Sequence, residues 1–142
     1  MAHSFEIWSP ERTVEIIAAQ ADLEGPLLPI LHEIQATFGH VPATAVPIIA
    51  GALNLSRAEV HGVISFYHDF TAEPVAGRVA KLCRAEACQA RGVEALAQAV
   101  EGRVALENVY CLGLCASGPA ALIDGKPVAR LTPERLLALM EA

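Results

Sequence analysis

All four cysteines of this chain lie in its second half and in two close pairs, Cys83 with Cys88 in CRAEAC and Cys111 with Cys115 in CLGLC. Each pair begins where a run of strand-forming residues ends: Val79 to Cys83 reads VAKLC, and Val104 to Cys111 reads VALENVYC. If these two strands are neighbours in one sheet, both loops leave it at the same edge and four thiolates converge there. Residues Met1 to Pro10 show neither a basic n-region nor an apolar h-region, so a reducing cytoplasm is the expected compartment. A disulfide framework is then not the first reading, because thiols there stay reduced and a chain this long can build a core without staples.

Four converging thiolates hold either zinc or an iron-sulfur cluster. Structural zinc sites favour tight knuckles, commonly with two residues between cysteines, and neither pair here has that form. A 2Fe-2S cluster takes two thiolates on each iron, so its pairs stand apart by the width of the cluster and wider loops are acceptable. Gly113, Ala116, Ser117 and Gly118 supply the small residues that let backbone donors approach the sulfurs. Spacing thus favours the cluster and leaves zinc, and free or paired thiols, open. No Cys-x-x-Cys occurs, which disfavours a thiol-disulfide enzyme.

The first half is built differently. Ser9 before Pro10 caps a helix with Val14, Ile17, Ala18 and Ala21 on its apolar face. Gly25-Pro26 breaks the chain, and Leu27, Leu31, Ile34 and Phe38 mark a second helix ending at Gly39, with Pro29 tolerated in its first turn. A third helix after Pro42 turns Val46, Ile49, Ala50 and Leu53 inward, and Ser56-Arg57-Ala58-Glu59 has the form of a capping box opening a fourth through Val60, Val63 and Ile64. Four helices on short loops make a small bundle.

From Thr71 to Gly77, TAEPVAG has linker composition, and the periodicity then changes. Strand, helix (Val93 to Val100) and strand are followed by a hairpin about Asp124-Gly125 and a last helix opened by Thr132-Pro133. The expected architecture is α+β: a helical bundle over residues 1–73, then a domain over 74–142 with a small mixed sheet and helices packed on it.

The formal charge is −6, and it is uneven. Residues 1–77 carry Arg12 and Arg57 against nine carboxylates, a balance of −7, while residues 78–142 carry eight bases against seven acids. An acidic chain without a basic run repels phosphate backbones, which argues against a nucleic-acid partner. The uncharged stretch Ile34 to Ser56 contains Gln35, Gly39, His40, Pro42, Pro47 and Asn54, so it is not a membrane helix. No Ser-His-Asp set, glycine-rich phosphate loop or paired carboxylates appear, so a catalytic site of its own is not expected.

CRAEACQARG, followed by VYCLGLCASGPAALIDGKPVARLTPERL, resembles the thioredoxin-like 2Fe-2S ferredoxin family, whose members include the small flavoprotein-partner subunit of respiratory complex I. Within it, CRAEACQ and YCLGLCASGPA most resemble the gamma subunit of soluble NAD-dependent formate dehydrogenases, and LLPILHEIQATFGHVP with LNLSRAEVHGVISFYHDF looks like the helical region that precedes the ferredoxin domain in those subunits. The resemblance implies a thioredoxin-like second domain and one 2Fe-2S cluster held by Cys83, Cys88, Cys111 and Cys115. It implies electron exchange with a flavin, FMN, on a partner subunit that also binds NAD. The equivalent subunit of complex I or of an NAD-linked hydrogenase is the alternative, and a zinc-stabilised structural subunit is the rival of a different class. The connection from Cys88 to Cys111 is shorter than the family commonly has.

The remaining residues have simpler expected roles. His32, His40, His61 and His68 have no partner at ligand spacing and read as structural or surface groups. Phe66, Tyr67 and Phe70 read as core, and Trp8 as a packing staple before the first helix. Only the resemblance raises a cis bond at Pro119. Lys81, Arg84 and Arg91 are the bases nearest the first cysteine pair, and Arg84, between two candidate ligands, is the one expected to favour a reduced, more negative cluster.

Overall fold

The computed structural model describes residues 4–74 and 77–142. Met1 to His3 and, within the predicted linker, Val75 and Ala76 lie outside the described residues. Residues 2–76 and 77–142 form two compact units, each with its own buried core.

The first unit consists of α1 (Pro10–Ala19), α2 (Leu27–Phe38), α3 (Ala45–Leu53) and α4 (Arg57–Phe66). The sequence signals for their ends are realised in atoms. The Ser9 hydroxyl accepts from Arg12 N–H at 3.2 Å, with Pro10 at the first helical position. At α4 the Ser56 hydroxyl accepts from Glu59 N–H at 3.1 Å while the Glu59 carboxylate accepts from Ser56 N–H at 2.7 Å. This satisfies two donors that the helix itself leaves orphaned. Gly39 closes α2 in the left-handed region at φ 76°, and a β-carbon there would stand 2.6 Å from the Phe5 ring. Both facts require glycine at 39.

Ile30, Leu31, Ile34 and Phe38 of α2, Ala45, Ile49 and Ala50 of α3, and Val60 and Ile64 of α4 fill the centre. The face of α1 differs from the expected one. Thr13, Ile16 and Ile17 are buried and Val14 is 53% exposed, because Thr13 turns its hydroxyl back onto Ser9 O at 2.9 Å and so carries no unpaired polar group inward. Phe70 is buried, as expected of core, but Phe66 at 74% and Tyr67 at 40% exposure are not. Phe66 is the last residue of α4, on the side away from the buried Val60 and Ile64, and Tyr67 has left helical geometry at φ −93°, ψ 119°, so the helical period carries neither ring inward. Trp8 packs against the core. His32 meets Phe70 with ring centroids 4.9 Å apart, and His40 Nδ1 lies 3.0 Å from Phe38 O.

The second unit runs β1 (Val79–Cys83), α5 (Glu86–Ala90), α6 (Val93–Ala99), β2 (Ala105–Val109), a 3-10 turn (Cys115–Ser117), β3 (Ala121–Ile123), β4 (Lys126–Val128) and α7 (Pro133–Glu141). The sheet order is β2-β1-β3-β4. β1 and β2 are parallel, Cys83 opposite Val109, whereas β3 is antiparallel to both β1 and β4. A parallel pair needs a crossover, and α5 and α6 provide it. The hairpin turns at Asp124 and Gly125, both at positive φ as a primed two-residue turn requires. Ala80 and Leu82 of β1, Ala121 and Ile123 of β3, Val93 and Leu96 of α6 and Leu136 of α7 form the core. Arg78 ties the far end together, donating to the carbonyls of Met140 and Ala142 at 2.8 Å each and to Asp124 at 2.5 Å. Among the described residues no helix is long and apolar enough to cross a membrane.

Candidate functional site

The parallel pairing of β1 with β2 does what the cysteine spacing requires. Cys83 closes β1 and Cys111 lies two residues beyond the end of β2, so both chains leave the sheet at the same edge. Backbone bonds hold that edge: Cys83 N–H donates to Ala120 O at 2.9 Å and Arg84 N–H to Val109 O at 2.8 Å. Cys88 follows on α5, a short helix inside the region expected to be loop. Cys115 opens the 3-10 turn. None of the four is in a disulfide.

The thiols come together as two pairs that sense each other. Cys111 Sγ and Cys115 Sγ are 3.7 Å apart. Two sulfurs bound tetrahedrally to one metal at roughly 2.3 Å stand about 3.8 Å apart, so this pair is already at the spacing of two ligands on one ion. The Cys83 and Cys88 side chains share a hydrogen bond. Cys111 adopts φ 64°, unusual for a residue with a side chain. In that conformation its N–H donates to Cys83 Sγ at 3.3 Å. Among the described residues, no three metal-ligating side chains close on one ion-sized point.

Electrostatics sort the thiols. Burial pushes Cys83 up, but N–H groups of Ala85, Cys111 and Leu112 together with the Cys88 thiol outweigh it and hold Cys83 below the usual thiol range. Burial pushes Cys88 up, with the Cys83 partner adding to it and the Ala120 backbone opposing. Cys115 is raised by its hydrogen bond to Cys111 and by that neighbour's charge. The backbone therefore presents a ready anion site at Cys83, while Cys88 and Cys115 hold their protons more tightly than an ordinary thiol and gain most from added positive charge. A metal supplies that charge. Cys83 and Cys88 are buried; Cys111 and Cys115 face solvent.

Reading the sequence placed the cysteines but missed most of what surrounds them. The α5 helix and the donors Ala85 and Leu112 went unseen; Glu86 in the first turn and Gly92 after Arg91 are the local marks of that helix. Arg84 sits beside the site, yet it is not a free cation. Its guanidinium binds the Glu94 carboxylate through Nε at 2.9 Å and through a second, shorter contact, and reaches Asn108 Oδ1 at 3.2 Å. The pair is a dipole where a lone positive charge was expected. The Gly118-Pro119 bond is cis. His32, His40, His61 and His68 all belong to the helical unit.

Residues 13–142 match the family described as thioredoxin-like [2Fe-2S] ferredoxin. The chain belongs to that family. Its cofactor is accordingly a 2Fe-2S cluster, and the four-thiol donor set fits one. This ferredoxin is similar to a subunit of the NADH-quinone oxidoreductase of Escherichia coli K12, at 32% identity over 121 residues covering 76% of this chain and 73% of that one. It is also similar to the HndA subunit of the NADP-reducing hydrogenase of Solidesulfovibrio fructosivorans, at 26% over 140 residues, with 89% and 82% covered. Among solved structures, NAD+-reducing [NiFe]-hydrogenase in the air-oxidized state superposes with a TM-score of 0.65 at 30% identity. That match covers 81% of this ferredoxin and 22% of the hydrogenase chain, so this protein spans about a fifth of that chain's length. The second unit, with its mixed sheet and helices, is the thioredoxin-like domain.

Proposed function

We propose that this ferredoxin is an electron-transfer subunit whose Cys83, Cys88, Cys111 and Cys115 hold one 2Fe-2S cluster, and that it exchanges electrons with a flavin on an NAD-binding partner subunit. The observation that carries this reading is the delivery of both cysteine pairs to one edge of the parallel β1/β2 pair. When bound, the cluster supplies one-electron acceptance and donation, which a flavin needs in order to pass on singly the two electrons of a hydride. The residues of this chain do the rest. N–H groups at Ala85, Cys111 and Leu112 stabilise negative charge on Cys83, and burial of Cys83 and Cys88 keeps water from one side of the site. The exposed Cys111 and Cys115 leave the other side open to a partner.

The parent complex we favour is an NAD-dependent formate dehydrogenase, on the strength of the motifs CRAEACQ and YCLGLCASGPA. An NAD-linked hydrogenase or complex I is the second reading, favoured by the names of the relatives. We propose the cytoplasm as its compartment, since there the thiols stay reduced for cluster assembly. The helical residues, about 9–70, are proposed to dock the subunit onto its partner.

The test begins with anaerobic purification, iron and labile-sulfide analysis, absorption, and electron paramagnetic resonance (EPR) after dithionite reduction. Two irons, two sulfides and a signal only in the reduced state are expected. A colourless protein with one zinc would replace this reading by the structural one. Serine at any of the four positions should strip the cluster, because its oxygen is a harder and poorer ligand. Full iron and an unaltered spectrum in one variant would remove that residue from the set. Co-purified subunits that reduce NAD with formate, with hydrogen, or with neither decide among the parent complexes.

A further inference from the structure

We propose that Gly118 is a positioning residue for Cys88: the missing side chain at 118 is what allows the Cys88 sulfur to stand where the cluster needs it. The inference rests on the assignment of Cys88 as a ligand. A β-carbon added at Gly118 would lie 3.0 Å from Cys88 Sγ, 3.2 Å from Arg91 Cδ and 3.5 Å from Cys88 Cα. Backbone freedom does not account for this glycine, since φ −67° and ψ 165° are open to any residue. Gly113 in the same loop is the opposite case, with φ 76° and open space around it.

The neighbours of Gly118 differ in their ability to yield. Arg91 Cδ belongs to a flexible chain that swings aside. Cys88 does not have that freedom: it is 2% exposed, and its thiol is engaged by Cys83 and by the Ala120 backbone. Gly118 also follows directly on the 3-10 turn that begins with Cys115. A methyl group at 118 therefore either displaces the Cys88 sulfur or pushes back the turn that carries Cys115. In both cases one ligand of the set moves.

The experiment uses the full chain as wild type, Gly118→Ala and Cys88→Ala, the Gly118→Ala/Cys88→Ala double variant, and Ala95→Ser on the exposed face of α6. The Gly118→Ala protein should keep its far-ultraviolet circular dichroism, show altered visible circular dichroism and EPR, and lose iron to excess chelator roughly 10- to 100-fold faster, the equilibrium equivalent of one methyl group of overpacking. Ala95→Ser should behave as wild type. Unfolding of the metal-free proteins isolates the contact: Gly118→Ala should destabilise the chain that has the Cys88 sulfur and be close to neutral in the Cys88→Ala background. Equal destabilisation in both backgrounds, or a Gly118→Ala protein with wild-type spectra and iron retention, would overturn the proposal. Retention of a full cluster by Cys88→Ala overturns the ligand assignment instead, which keeps the two failures distinct.

Discussion

Leu82 is where the second unit is most exposed to a single truncation. It is fully buried in β1, stands between Asn108 on β2 and Ala121 on β3, and directly precedes Cys83. Replacing it with Ala removes three buried carbons and leaves a cavity walled by strands on both sides, which have little room to collapse. Such changes cost about 2 to 5 kcal/mol. The unit spans the 66 residues 77–142, and at 0.05 to 0.15 kcal/mol per residue its whole stability without metal is about 3 to 10 kcal/mol. Leu82→Ala should therefore remove about half of the metal-free stability and lower the melting temperature by at least about 10 °C. Because metal binds only the folded state, the cluster-loaded variant should hold while the stripped variant melts near room temperature. The assay is thermal unfolding by circular dichroism before and after chelation, with Lys81→Ala on the opposite face of the strand and Leu82→Met as comparators. A loss within about 0.5 kcal/mol, the range of surface substitutions, would show that Leu82 does not anchor this core and that the burial argument for the edge bearing Cys83 is wrong.

Two further outcomes are expected. Arg84→Gln should lower the midpoint potential of the cluster and Glu94→Gln should raise it, since each leaves the other's charge uncompensated near the site; redox titrations that shift in the same direction would show that the two do not act as a pair. Ser56→Ala should cost about 1 kcal/mol through loss of the α4 cap. Glu59 is held below its ordinary value of 4.5 by the Ser56 backbone and then by the Ser56 hydroxyl. A carboxylate with a lowered folded pKa adds stability above its ordinary value and loses it as pH falls through the folded one. The stability difference between wild type and Glu59→Gln should thus shrink on acidification below pH 4.5, and a difference that grows there would reverse the assigned role.

Local chemistry was legible without the fold. Ser9-Pro10, the Ser56 to Glu59 box, Gly39 and the Asp124-Gly125 turn each satisfy or bend a backbone within a few residues, so the residues themselves announce the outcome. The cysteines were legible for a related reason: thiolate is a chemical type with few uses, and two pairs at the ends of two strands leave few arrangements open. What the sequence could not decide is everything that depends on a distant surface. Val14 and Thr13 are adjacent in α1, and only packing chose Thr13 for the interior by pairing its hydroxyl within the helix. Tyr67 is apolar enough for a core, yet the backbone leaves the helix before it can turn that ring inward. Arg84 was visible as a charge, whereas its partner Glu94 lies ten residues on and reaches it only because α6 packs beside the end of β1. Gly118 is the sharpest instance. Its neighbour Cys88 is thirty residues away, so the need for a missing side chain there arises only once α5 and the turn after Cys115 are folded together.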